Sequence, residues 1–217
     1  MAAPRPILRA GLTGGIASGK TTVSSILSEL GAFVLDADEF ARAAMEPGAR
    51  AYDRVVKRFG TEILDERGRI VRPRLARLVF HDDASREALN AIVHPEVMAE
   101  ADRRLADYAP HGQARIAIFD AALLVESGLH RDFQRLIVTR CRRETQIRRL
   151  LARDGLSMSE AEARIDAQAP LADKLAVAHY VVDTEGTLRE TRAQTETVYA
   201  SLLADFEREF AKPDRSE

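Results

Sequence analysis

Tryptophan is absent, cysteine occurs once, and aromatic residues make up only 6% of the 217 positions. The lone Cys141 has no partner for an internal disulfide, which excludes a disulfide-stapled secreted scaffold and makes a reducing, cytoplasmic compartment the expectation. Long apolar runs are also missing. Charge interrupts every hydrophobic stretch well short of the roughly 20 residues that span a bilayer, so no role at a membrane is expected. The opening Met-Ala-Ala-Pro-Arg-Pro carries no apolar stretch of the signal-peptide kind. An excess of one charge is lacking too: 32 lysines and arginines face 34 aspartates and glutamates. No global basic field therefore exists to hold a nucleic-acid backbone, and any anion site has to be local. No obligate protein partner is evident.

What is present suits one α/β domain. Hydrophobic residues at 46% and charged residues at 30% fit a single compact unit with embedded subdomains. Short apolar runs bounded by polar residues fall at 7–12, 33–35, 116–119, 136–139 and 180–182, and each reads as a strand. Helical periodicity fills the gaps, which predicts right-handed crossovers in a mostly parallel five-stranded sheet. The interval 37–110 offers no central strand and reads as a helical insertion. Within it, residues 86–108 look helical with a joint near His94, because Pro95 cannot donate an amide hydrogen bond. A second insertion, 142–177, opens on Arg142, Arg143, Arg148, Arg149 and Arg153 and continues as helix from caps at Ser157 and Ser159. The last helix repeats Val198, Leu202, Phe206 and Phe210, a stripe that should lie against the sheet.

The most specific signal is Gly14-Gly15-Ile16-Ala17-Ser18-Gly19-Lys20-Thr21, which matches G-x-x-x-x-G-K-[ST] between a strand and a helix. Glycines at 14, 15 and 19 should permit backbone angles that turn several N–H groups toward a bound anion without a Cβ in the way. The helix that starts near Lys20 adds its positive end. Lys20 is expected to reach the β- and γ-phosphates of a nucleotide, and the Thr21 hydroxyl to coordinate magnesium.

In an open α/β sheet, ligands bind beyond the carboxyl ends of the strands. Asp36 and Asp38 follow the second strand, Asp120 and Glu126 the third, the arginine run the fourth, and residues 183–186 the fifth. Asp36 pairs with Glu39 as a helix-capping couple would. Asp38 is placed to accept or orient a hydroxyl proton during phosphoryl transfer. Asp120 reads either as a Walker-B-type acid that holds magnesium through water or as a helix cap or solvated loop residue. Glu126, in the apolar context Leu123-Leu124-Val125, contacts substrate or joins an ion pair. Most of the arginines suit a solvated helix face, with one or two as lid residues that stabilise transferring charge. His94 serves as helix joint or substrate contact, and Cys141 as a small buried side chain.

Taken in order, residues 11–21, Asp36-Ala37-Asp38, His94-Pro95, Leu123-Leu124-Val125-Glu126, Arg153-Asp154, Arg164 with Gln168, and Lys174 resemble the dephospho-coenzyme A kinase family over about residues 8–190. The resemblance implies a three-layer P-loop kinase core (about 1–36, 111–141 and 178–217), a helical coenzyme-A-binding insertion (about 37–110) and a lid (about 142–177). It implies transfer of the ATP γ-phosphate to the ribose 3′-hydroxyl of dephospho-coenzyme A, with ATP and Mg²⁺ as cofactors. Nucleotide binding then falls to Gly15, Ile16, Ala17, Ser18, Gly19, Lys20, Thr21 and Thr22. The implied catalytic residues are Lys20, Asp38 and the lid residue Arg153. Asp38, His94 and Glu126 are the implied substrate contacts, and Thr21 with Asp120, through water, the metal contacts. The chain departs from the family pattern at Ala122, where proline is usual, and at Ala178-His179 and Asp183-Thr184 near the fifth strand, in place of the usual Ala-Asp and Asp-Asn pairs. The alternatives are a P-loop kinase for another acceptor, such as a nucleoside monophosphate or shikimate, and a regulatory nucleotide-binding ATPase. No Asn-Lys-x-Asp or Leu-Ser-Gly-Gly-Gln segment supports the switch or transporter forms of the latter.

Overall fold

The computed structural model describes residues 6–80, 82–108 and 113–210. The opening five residues, read above for their lack of an apolar run, and the expected end of the insertion at Pro110 lie outside these. The chain divides into two compact units, Met1–Leu35 with Ala109–Glu217, and Asp36–Tyr108.

The first unit is built on a five-stranded sheet in the order β2-β3-β1-β4-β5. The strands are β1 (Leu8–Gly14), β2 (Phe33–Asp36), β3 (Ile116–Asp120), β4 (Arg135–Arg140) and β5 (Tyr180–Asp183). β1 runs parallel to β3 and β4, and β4 parallel to β5. The strands that sequence periodicity predicts are all present, with β1 extended two residues into the glycine-rich segment. Leu8, Leu12, Ile116, Ile118 and Ile137 are fully buried, each worth about 1.5–3 kcal/mol relative to exposure. Two helices cover this core: α1 (Lys20–Glu29), through Val23 and Leu27, and α9 (Leu188–Phe210), through Val198 and Leu202, with Phe206 and Phe210 alongside. The expected stripe on the last helix is therefore the face that seals the sheet. Between β4 and β5 run α6 (Arg143–Asp154), α7 (Met158–Asp166) and α8 (Leu171–Ala176). α7 starts where the sequence places it: Ser157 accepts from the Glu160 N–H and Glu160 returns a bond to the Ser157 N–H, a complete capping box.

Where β4 and β5 begin, Asp205 of α9 is 1% exposed. It accepts from Arg135 Nε at 2.5 Å, from the Tyr180 hydroxyl at 2.6 Å, and from Arg208. Burial pushes its carboxyl up, but the bonds from Arg135, Tyr180 and Arg208 together outweigh it and hold the group at about 2. A depressed folded-state pKa gives stability that is complete above the unfolded value and is lost as pH falls through the folded one. Asp205 should thus contribute about 2 kcal/mol that disappears between roughly pH 4 and pH 2. Urea unfolding across that window should show the loss in the native chain and a flatter profile in Asp205→Asn. Equal slopes would remove Asp205 from the acid sensitivity.

The second unit is helical: α2 (Ala37–Ala44), α3 (Tyr52–Phe59), α4 (Arg72–Phe80) and α5 (Asp83–Tyr108). Its only extended pairing among the described residues is an isolated bridge between Leu64 and Ile70. α5 buries Val93, Val97, Ala101 and Leu105, one residue per turn. The guanidinium of Arg104 lies 5.7 Å over the Phe40 ring of α2. The joint expected at His94 does not divide α5, which continues helically through Pro95. Proline removes one intrahelical bond, and the buried stripe of Val93, Val97, Ala101 and Leu105 runs past it on both sides.

Among the described residues no helix is long and apolar enough to cross a membrane.

Candidate active site

The glycine-rich loop leaves the carboxyl end of β1, the central strand. Register places Gly14 against Thr139 of β4, and Leu12 against Asp120 of β3. The loop's position thus follows from strand pairing before any ligand is considered. The buried Ser18 hydroxyl lies 2.6 Å from the Thr139 hydroxyl, which donates to the Thr13 carbonyl at 3.3 Å. The Ser18 N–H closes a turn on the Gly15 carbonyl at 3.0 Å. α1 then starts at Lys20 from Gly19, with no side chain capping its first amides.

The glycines do not all serve the purpose the sequence suggests. Gly19 has φ 83°, and the second left-handed residue of the loop is Ala17, at φ 58°. An L-residue there stores about 1–3 kcal/mol of strain. Gly14 is instead required for space, and at Gly15 a side chain would displace the Gln146 amide. A Cβ on Gly14 would stand 2.0 Å from Thr139 Oγ1, and one on Gly15 would stand 2.5 Å from Gln146 Nε2.

The loop borders a cleft of roughly 840 Å³ that takes in residues 14–22, Ala122, Arg149, Arg153, Thr184 and Leu188. That volume suits a nucleotide-sized ligand. Lys20 Nζ is paired with Asp120 at the end of β3, and both side chains are largely buried, at 20% and 12% exposure. Thr21, on the first turn of α1, lines the same cleft. A smaller cavity of about 330 Å³ lies against the same loop at Gly15 and Ser18, with Cys141, Gln146, Gln168 and Lys174 in its wall. Burial raises the Cys141 thiol above its ordinary pKa, against the pull of Arg149, which suits an inert buried side chain.

The arginine run divides its tasks. Arg142 and Arg143 pair with Glu185 and Asp166. Arg149 donates to the Ala17 carbonyl at 3.1 Å and to the Thr184 carbonyl at 2.6 Å. Arg153 lines the cleft with its guanidinium held by Asp154, which also receives Arg164. The loop after β5 is tied to the start of α6: the Arg142 backbone N–H, its guanidinium and the Thr145 hydroxyl all bond Glu185 and hold that carboxyl at about 2. Thr184, where the family pattern differs, is buried. Its hydroxyl donates to the Ser18 carbonyl at 2.7 Å, and its side chain fills the space beside Gly19.

Glu126 accepts from the Ala169 N–H at 3.1 Å and from the fully buried Lys174, so one of its two sequence readings, the ion pair, is present. Its Oε2 is buried without a hydrogen-bond partner.

In the helical unit, Asp36 caps α2 by accepting from the Glu39 N–H at 2.9 Å, as the pair of residues predicts. Asp38 sits half-buried in the first turn of α2, and His94 half-buried on α5. Arg72, at the start of α4, is held below its usual pKa by burial and by Arg42, with Glu46 and Asp38 acting in the opposite direction.

Sequence reasoning did not single out Gln146 or Thr184 as loop contacts and used Gln168 only as a family mark. No local pattern marks them, since each meets the loop across more than 100 residues of chain.

Comparison with known proteins agrees with this geometry. The family model described as dephospho-CoA kinase matches residues 8–190. A dephospho-CoA kinase of Geobacter sulfurreducens is 46% identical over 190 residues, 88% of this chain and 96% of the relative. A Thermus thermophilus protein solved by crystallography superposes with a TM-score of 0.76 at 33% identity, over 93% of this chain and 98% of that one. A dephospho-CoA kinase structure from Campylobacter jejuni, at 22% identity, shares the fold with a TM-score of 0.60, over 91% of this chain and 98% of that one. With the phosphate loop, the parallel sheet behind it and these matches over most of its length, the chain belongs to the dephospho-CoA kinase family, enzymes that transfer a phosphoryl group from ATP to dephospho-CoA.

Proposed function

We propose that phosphoryl transfer to the ribose 3′-hydroxyl of dephospho-CoA starts from residues 15–22, with Lys20 and Arg153 balancing the charge on the transferring group and Asp38 orienting the attacking hydroxyl. The observation that carries this reading is the Lys20 ammonium beside Asp120 in a cleft whose floor is the glycine-rich loop. Lys20 then exchanges one anionic partner, Asp120, for the β- and γ-phosphate oxygens. The Thr21 hydroxyl and the Asp120 carboxylate are oxygen donors suited to a hard cation and fit Mg²⁺, Asp120 through water. When bound, that ion supplies charge neutralisation at the phosphate oxygens.

The remaining assignments rest on the family to which the chain belongs. Asp38 is read as accepting or orienting the hydroxyl proton. His94 and Glu126 are read as acceptor contacts, Glu126 through the oxygen that lacks a partner. Residues 37–110 form the coenzyme-A-binding insertion, and residues 142–177 form a lid that excludes water so that the alcohol, rather than water, takes the phosphoryl group. The substrate is a small molecule, and the expected setting is cytoplasmic. Incubation with ATP, magnesium and dephospho-CoA should yield, by mass spectrometry, a product heavier by one phosphoryl unit. ADP release of equal size with shikimate or a nucleoside monophosphate, or release independent of any acceptor, would sink the assignment.

A further inference from the structure

Three successive peptide units of the phosphate loop are gripped by side chains from the segment between β4 and β5. The Ile16 N–H donates to Gln168 Oε1 at 2.5 Å. The Ile16 carbonyl accepts from Gln146 Nε2 at 2.7 Å. The Ala17 carbonyl accepts from Arg149 at 3.1 Å. Both glutamines line the smaller cavity, whereas Ile16 and Ala17 line the large cleft. The glutamines therefore act from behind the loop.

In a trans peptide the C=O and N–H point in opposite directions. A carbonyl of Ile16 drawn back onto Gln146 consequently aims the N–H of Ala17 away from Gln146. Ala17 is also the alanine held in the left-handed region, a conformation that persists only where its surroundings enforce it. Gln168 is itself fixed. It follows the end of α7, and the next residue, Ala169, donates its N–H to Glu126, which is anchored by the buried Lys174. Lys174 also donates to the Ala122 carbonyl at 3.4 Å, the carbonyl that receives the Thr13 hydroxyl of β1. The strut starts and ends on the strand–loop unit whose shape it holds.

We infer that Gln146 and Gln168 are positioning residues for phosphoryl transfer: by fixing the two peptide units on either side of Ile16 they aim the Ala17 amide at the transferring phosphate. The polarity required at the two positions is opposite. Position 146 must donate, and position 168 must accept. Neither side chain needs to touch nucleotide or acceptor, so the effect belongs to kcat more than to KM for ATP.

That opposite polarity supplies the test, which rests on the kinase reading above and includes the native chain in the same assay. Glutamate at either position adds the same charge at a similar distance from the loop, yet only Gln168→Glu keeps an acceptor for the Ile16 N–H. Gln146→Glu should lower kcat about tenfold or more, and Gln168→Glu no more than about threefold, a contrast of the size expected for one misaimed amide. Gln168→Leu, which removes the acceptor without adding charge, should fall with Gln146→Glu while KM for ATP stays within about twofold. Tm, measured on every variant, identifies any loss that comes from unfolding, and Gln146→Leu replaces Gln146→Glu if the latter fails to fold. Equal losses in the two glutamate variants would assign the effect to charge and overturn the inference. So would native-like turnover in both leucine variants, or a loss confined to KM for ATP. Absence of turnover in the native chain would overturn the function itself.

Discussion

Replacing Lys20 with methionine is expected to lower kcat/KM for ATP about 10²- to 10³-fold, the effect of deleting one donor aimed at transition-state charge. Methionine keeps the unbranched stem and removes only the ammonium, so the start of α1 should persist. The substitution also strips Asp120 of its partner in a largely buried place. A modest fall in Tm, from a desolvated carboxylate worth about 1–3 kcal/mol, should therefore accompany the kinetic loss. Lys20→Arg separates the two effects. It keeps the charge beside Asp120 and so the stability, but its planar fork cannot reproduce a point charge between two phosphates. Steady-state kinetics with thermal melts on both variants make the check. Native turnover in the methionine variant would show that the ammonium takes no part in the reaction.

Asp38→Asn is expected to reduce kcat about 10²- to 10⁴-fold while KM for ATP changes little, the range typical of a lost general base. The structure gives a reason to separate this residue from its neighbour. Asp36 performs the capping of α2, through the Glu39 N–H, so Asp38 in the first turn is not needed for that task. Asp36→Asn is then the matched control: asparagine caps a helix about as well as aspartate, and turnover should stay near the native value. If the Asp38 variant works as fast as the native chain, or if both variants lose activity together with helix stability, the proton-accepting assignment fails.

The sheet was legible because its signals are local. Each strand is a short apolar run closed by a polar residue, and the parallel pairing follows from the helices between them. The phosphate loop was legible for the same reason, since its eight residues state glycine, lysine and threonine in an order few other structures require. The helix cap at Asp36 and the capping box at Ser157 are similarly four-residue patterns. The partners of the loop were not legible. Gln168, Gln146 and Thr184 reach it across separations of 152, 130 and 166 residues. A glutamine near a helix end carries no mark of what it will touch. The glycines were read for the backbone angles they permit, while Gly14 is demanded by Thr139, which only the folded register brings near.

β1 stands in the middle of the sheet, paired on both sides, while β2 and β5 form its margins. Amide exchange spreads inward from such margins, and the last hydrogens to exchange are those of the interior strand. The chain therefore hangs its phosphate loop from the middle one of three interior strands. Opening at the β2 margin leaves the loop's root on β1 paired, whereas opening at the β5 margin would also release Thr184 from the Ser18 carbonyl and so loosen the loop from its far side.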